Sequence, residues 1–102
     1  MRFDRATRTR VYVDMELDVD PTGSTIELWV DGTWRPATWQ GTAVQLGPKW
    51  TQTARTTGYF AGPDASPTGA AALTSGRHAT KTRVTLASGD LLAEDSTPID
   101  VD

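Results

Sequence analysis

Apolar residues recur at every second position over much of this chain. In residues 9–20, Val11, Val13, Met15, Leu17 and Val19 alternate with Tyr12, Asp14, Glu16, Asp18 and Asp20, the pattern of a half-buried β-strand with an acidic outer face. Pro21-Thr22-Gly23 follows; proline fixes one turn position and glycine takes a positive φ, so the chain is expected to reverse there. Residues 24–30 put Ile26, Leu28 and Val30 on one face, which predicts a second strand paired with the first as a hairpin. Asp31-Gly32 is a further tight-turn signal. Residues 33–39 hold Trp34 and Trp39 on either side of Pro36, and a proline is awkward in a central strand, so a short strand or sheet edge is expected. Residues 42–46 alternate again, Gly47-Pro48 breaks the run, and a threonine-rich extended stretch leads from Trp50 toward Phe60.

Residues 58–76 differ in kind. Glycine, two prolines and three successive alanines predict a long surface loop with one helical turn at residues 70–73. Residues 77–86 are extended, Ser88-Gly89-Asp90 is a turn, and residues 90–94 and 97–101 read as short strands. Six to eight short strands with turns about every 8–12 residues predict an all-β fold, a compact antiparallel β-sandwich or small barrel.

At 102 residues the chain has room for one domain. The absence of cysteine excludes a disulfide framework, a thiolate zinc site and a cysteine nucleophile. A net charge of −3 argues against nucleic acid as the main partner, because such binding needs a basic surface to displace counterions. That charge is unevenly placed: Arg2, Arg5, Arg8 and Arg10 lie in the first ten positions, whereas Glu94, Asp95, Asp100 and Asp102 fall in the last nine. Residues 1–8 flank Phe3 with charge and do not alternate, so they are expected to form a basic N-terminal arm outside a single domain at 9–102. No apolar run approaches the roughly 18 residues of a membrane span, and no signal peptide is expected. Arginine outnumbers lysine eight to two, and alanine and threonine together number 29, the stamp of a GC-rich genome.

Candidate chemistry is sparse. His78 is the only histidine, so histidine dyads and two-histidine metal sites lack parts. Ser75 lies three residues before it, without the strained elbow of a serine hydrolase. Asp18, Asp20, Thr22 and Gly23 match the early positions of a calcium loop, but Trp29 stands where a bidentate glutamate is required. Gly58 and Gly62 precede no lysine and no helix that could cradle phosphate. Glu16 and Glu27, the only pair suited to glycoside hydrolysis, fall on polar strand faces. No catalytic residue, metal ligand or cofactor is expected.

Interaction is the expectation instead. Four tryptophans, Trp29, Trp34, Trp39 and Trp50, fall within 22 residues. Trp29 lies out of phase with Ile26, Leu28 and Val30 and so projects to the opposite face. Arg77, Lys81 and Arg83 line one strand face and Asp14, Glu16 and Asp18 another, either as cross-strand partners or as complementary surfaces between copies. The candidate contact residues are Arg2, Phe3, Arg5, Arg8, Trp29, Trp34, Trp39, Arg77, Lys81 and Arg83, since aromatic residues and arginine are the usual interface anchors.

Asp20-Pro21-Thr22-Gly23, the segment Trp34-Arg35-Pro36-Ala37-Thr38-Trp39-Gln40-Gly41 and the closing Thr97-Pro98-Ile99-Asp100-Val101 resemble a group of small virion-associated proteins of tailed phages that infect actinobacteria. The resemblance covers roughly residues 11–101. It implies an immunoglobulin-like β-sandwich without an active site, assembled with capsid, head–tail connector or tail subunits and with copies of itself. It also implies a virion location after synthesis in the host cytoplasm, with no membrane partner. Residues 58–76 depart from the group, whose members have a shorter glycine turn. The alternative is a carbohydrate- or host-surface-binding module that offers exposed tryptophans to a glycan.

Overall fold

The computed structural model describes residues 1–65 and 69–102, and among them it contains ten strands and no helix. These are β1 (Arg2–Phe3), β2 (Arg8–Thr9), β3 (Tyr12–Leu17), β4 (Thr25–Val30), β5 (Thr33–Leu46), β6 (Lys49–Thr56), β7 (Tyr59–Ala61), β8 (Ala70–Ala72), β9 (Gly76–Thr85) and β10 (Leu91–Val101). Seven strands form one curled sheet in the order β1-β10-β9-β4-β5-β6-β3, and β2-β7-β8 form a small second sheet. All neighbours in the large sheet are antiparallel except β1 and β10. The all-β expectation is met.

Period two decides which side chains turn inward. Ile26, Leu28 and Val30 on β4, Thr80, Thr82 and Val84 on β9, and Met15 and Leu17 on β3 are buried on the concave face. At one end Met15, Leu17, Ile26, Ala54 and Val84 pack together. At the other, Val11, Leu28, Val30, Ile99 and Val101 meet Phe60 and Leu73 from the region of the small sheet. Removing this apolar surface from water holds the curl, at about 25 cal/mol per Å². Two register shifts help to bend it, at Gln40/Val44, beside Gly41 with φ 65°, and at Ser96/Ile99.

The turns follow their chemistry. Asp31 and Gly32 both have positive φ, 52° and 86°, and join Val30 to Thr33 as a two-residue hairpin. At the Asp20 turn the backbone N–H and hydroxyl of Thr22 donate to Asp20 Oδ1, at 2.9 and 2.7 Å, and Gly23 has φ 79°. The expected hairpin between β3 and β4 is nevertheless absent. β3 pairs with β6 at the sheet's edge, while β4 lies between β5 and β9. The connecting turn therefore passes over β6 and β5, and Pro21 is fully buried within it. An alternation pattern shows which face a strand buries and is silent on its neighbour.

Pro36 sits inside the 14-residue β5, not at a strand end. Its carbonyl accepts from Thr57 N–H at 3.0 Å, so its own nitrogen points the same way. The β5–β6 ladder stops there, at Ala37↔Thr56, and the proline forgoes only the return bond to the Thr57 carbonyl, which accepts from Arg10 Nε at 3.2 Å instead. Residues 70–73, expected as a helical turn, instead include β8, which pairs in parallel with β7. The long loop at 58–76 thus contains two short strands, and its residues 66–68 lie outside the described residues.

The free N-terminal arm is also corrected. β1 adds to β10 at Asp100 and Val101, Arg8 and Thr9 pair with β7, and Phe3 is 6% exposed inside the core. A single buried aromatic outweighs the surrounding charge in deciding where this segment lies.

Candidate functional site

The ten candidate contact residues do not gather at one place. Trp29, Trp34, Lys81 and Arg83 come together on the convex face of β9, β4 and β5. Trp29 stands opposite Trp34 and Lys81 in register. The Lys81 ammonium lies 5.3 Å from the Trp29 ring centre, and the Arg83 guanidinium lies 4.1 Å from that of Trp34. Arg83 also donates to Glu27 Oε1 from Nε and Nη2, at 3.1 and 2.9 Å, with both side chains about one-third exposed. Each indole thus carries a cation on its ring, worth about 0.5–1 kcal/mol at exposed sites.

Trp39 is structural. Its indole N–H donates to the Ser24 carbonyl and hydroxyl, at 3.2 and 3.1 Å, and the ring packs beside the Met15 cluster. Arg2 and Arg77 are neutralised by the acidic C-terminal strand: Arg2 pairs with Asp102 at 2.8 Å and Arg77 with Asp100 at 2.8 Å. The Arg77 hydrogen bonds hold the Asp100 carboxyl below the ordinary carboxylate range. Arg5 grips Asp64 through Nε and Nη2, at 3.0 and 3.1 Å, and donates to Ser75 Oγ at 2.6 Å. Arg8 lies 5.3 Å from the Tyr59 ring centre, and Arg10 lies 4.2 Å from it. The opposite charges at the two ends of the sequence are therefore partly spent on each other. The acidic face of β3 does not meet the basic face of β9: Asp18 pairs with Lys49, and Asp14 accepts from Thr53 Oγ1 at 2.7 Å.

His78 is buried, with Nδ1 2.9 Å from both oxygens of Asp31 and Nε2 2.8 Å from the Thr74 carbonyl. It is a strand-to-turn clasp. Among the described residues no group of three or more metal-ligating side chains occurs.

No protein-family model, curated protein or solved structure matches the chain.

Two surfaces were not among the expected ones. The first is the far end of the β5–β6 hairpin, where Val44 is 53% and Leu46 62% exposed. β4 pairs only with residues 33–37 of β5, so beyond Ala37 the strand has no partner on that side among the described residues. The second is the gap between β3 and β10, into which Tyr12, Leu91 and Leu92 bring exposed apolar surface. A signal for the second was present, since Leu91-Leu92 breaks the alternation before the acidic pair Glu94-Asp95. For the first, Gly47-Pro48 marked the turn, but nothing in the pattern showed that it would stand clear of the core.

Proposed function

We propose that this chain is a non-enzymatic structural subunit of a tailed-phage virion that joins capsid, connector or tail proteins and copies of itself. The observation that carries the reading is the β5–β6 hairpin. Its outer part holds Val44 and Leu46 in water on an extended element of fixed register. Exposed aliphatic side chains at the end of a hairpin gain little for an isolated chain and fit a contact made in an assembly. The sequence resemblance supports the same class, and the curled sheet with the small sheet packed against it stands as this reading's version of the immunoglobulin-like sandwich. The convex patch of Trp29, Trp34, Lys81 and Arg83 offers a second, more polar contact. The residue types there match those that dominate protein interfaces.

The test is the protein content of gradient-purified particles from the phage that encodes the chain. The expected result is a fixed copy number per particle, by quantitative mass spectrometry, that survives a high-salt wash. Particles that lack the chain yet are intact and infectious would overturn the reading.

A further inference from the structure

The large sheet curls but does not close. Among the described residues β3 pairs only with β6, and residues 91–96 of β10 pair only with β9. Both strands therefore present an unpaired backbone edge. Just before β3, Val11 turns its backbone groups toward Thr56, since its N–H donates to Thr56 Oγ1 and its carbonyl accepts from Thr56 N–H, both at 2.9 Å. By the alternation of an antiparallel ladder, those of Tyr12, Asp14 and Glu16 point the other way. On β10, the Asp90 carbonyl accepts from Leu86 N–H at 2.9 Å, so the free groups belong to Leu91, Ala93 and Asp95.

These edges face each other across two adjoining cavities of about 420 and 400 Å³. The first has residues 12–15 on one wall and 94–97 on the other; the second has 15–19 and 91–94. The two edges thus run antiparallel, yet they are too far apart to bond. Directly paired strands lie about 4.8 Å apart and leave no space between them, whereas a gap of one strand leaves two such spacings. At its end the chain already uses the edge of β10 in this way, where β1 adds at Asp100 and Val101.

We infer that the seam takes one extended strand from a partner protein, a strand that alternates apolar residues with lysine or arginine. The backbone edges supply the hydrogen bonds, and the walls supply the selection. Side chains of the added strand that turn outward would lie between Asp14 and Glu16 on one side and Asp95 on the other, where basic residues are matched. Those that turn inward would meet Met15, Leu17 and Leu92, where apolar residues are matched, with Glu94, which shares the phase of Leu92 and borders both cavities, as the one charged group on that wall. Lys49 is engaged with Asp18 at the far end, and Lys81, the neighbour of Asp95 in register, lies over Trp29. A second copy of this chain would bring another acidic seam and is disfavoured as the donor. Only the source of the strand, a neighbouring virion protein, rests on the function proposed above.

The experiment titrates the full chain with synthetic peptides of about eight residues, long enough to span a typical strand. One alternates valine with arginine, a second alternates valine with glutamate, and a third is the arginine peptide with alternate amides N-methylated. Amide hydrogen exchange is read by NMR. The expected result is slowed exchange at Tyr12, Asp14, Glu16, Leu91, Ala93 and Asp95 with the arginine peptide, and at least tenfold weaker binding of the other two. In a Glu16→Lys/Asp95→Lys variant the glutamate peptide should become the preferred one. No protection at these amides, equal protection by all three peptides, or protection of the same amides by self-association without peptide would each overturn the inference. Failure here leaves the assembly reading standing, since that reading rests on the hairpin.

Discussion

His78 is held by acceptors at both ring nitrogens, the Asp31 carboxylate at Nδ1 and the Thr74 carbonyl at Nε2. Only the imidazolium donates to both at once. Burial pulls its pKa down, but the Asp31 hydrogen bond, the Thr74 carbonyl and the Asp31 charge together outweigh burial and hold it above the ordinary 6.5. A folded-state pKa above the unfolded one means that the stabilisation is complete below 6.5 and is lost as pH rises through the folded value. Asp31 stays half in water and screens the pair, so the loss is expected to be about 1 kcal/mol. Denaturant melts between pH 5.5 and 8.5 should show stability falling with pH, and His78→Asn should flatten that slope. An unchanged slope in the variant would assign the effect elsewhere. Gly62 is a second residue with a sharp role: a Cβ there would collide with the Arg5 carbonyl oxygen, while Gly62 N–H donates to the Thr7 carbonyl at 2.9 Å. Gly62→Ala should therefore loosen the N-terminal segment and lower the unfolding midpoint, whereas Gly58→Ala, with open space around it, should change it little.

At the scale of elements, β1 and β2 turn a segment that reads as a charged tail into part of the fold. Deleting residues 1–8 removes Phe3 from the core together with the β1–β10 pairing. Losing a buried aromatic of this size costs about 3–5 kcal/mol, a large share of a small domain's stability. The shortened chain should melt far lower or fail to fold, and circular dichroism would show it; an unchanged melting curve would mean that the segment is indeed a free arm. The strands legible in the sequence are those with long alternation: β3 and β4 fall within residues 9–20 and 24–30, and β9 matches residues 77–86 to within one residue at each end. Pairing was not legible, because the place of β3 beside β6 depends on how the whole sheet curls. Nor were β7 and β8, because Tyr59–Ala61 and Ala70–Ala72 are too short to carry a period and gain their order from Phe60 and Leu73 in the core. Of the candidate contacts that share the convex face, Trp29, Lys81 and Arg83 follow from strand phase and Trp34 from the clustering of tryptophans. Arg2, Arg5 and Arg77, offered as contact candidates, are engaged by Asp102, Asp64 and Asp100, carboxylates far away in sequence or on another strand, which a local pattern does not pair with them.

The molecule as a whole is elongated, 42 Å by 23 Å by 22 Å, with a radius of gyration of 14.2 Å where a compact chain of this length has about 13 Å. β5 alone, with 14 residues at about 3.3 Å each, is long enough to run the length of that axis. Its outer half lacks β4, so the hairpin carries Val44 and Leu46 away from both core clusters. This separation makes the proposed assembly surface and the fold independent in a way that can be measured. In a Val44→Asp/Leu46→Asp variant the two side chains are already largely in water, so the melting temperature should stay within a few degrees, in line with the roughly 0.5 kcal/mol effect of surface substitutions. Incorporation into particles should fall at least tenfold, because an apolar contact is replaced by two buried, unpaired charges wherever the hairpin docks. The paired measurement is a thermal melt of the purified variant and its copy number in particles grown with the variant gene. Full incorporation at unchanged stability would move the assembly contact off the hairpin and onto the convex Trp29–Trp34 face or the seam. Lost incorporation together with a collapsed melt would show that the hairpin supports the fold rather than a neighbour.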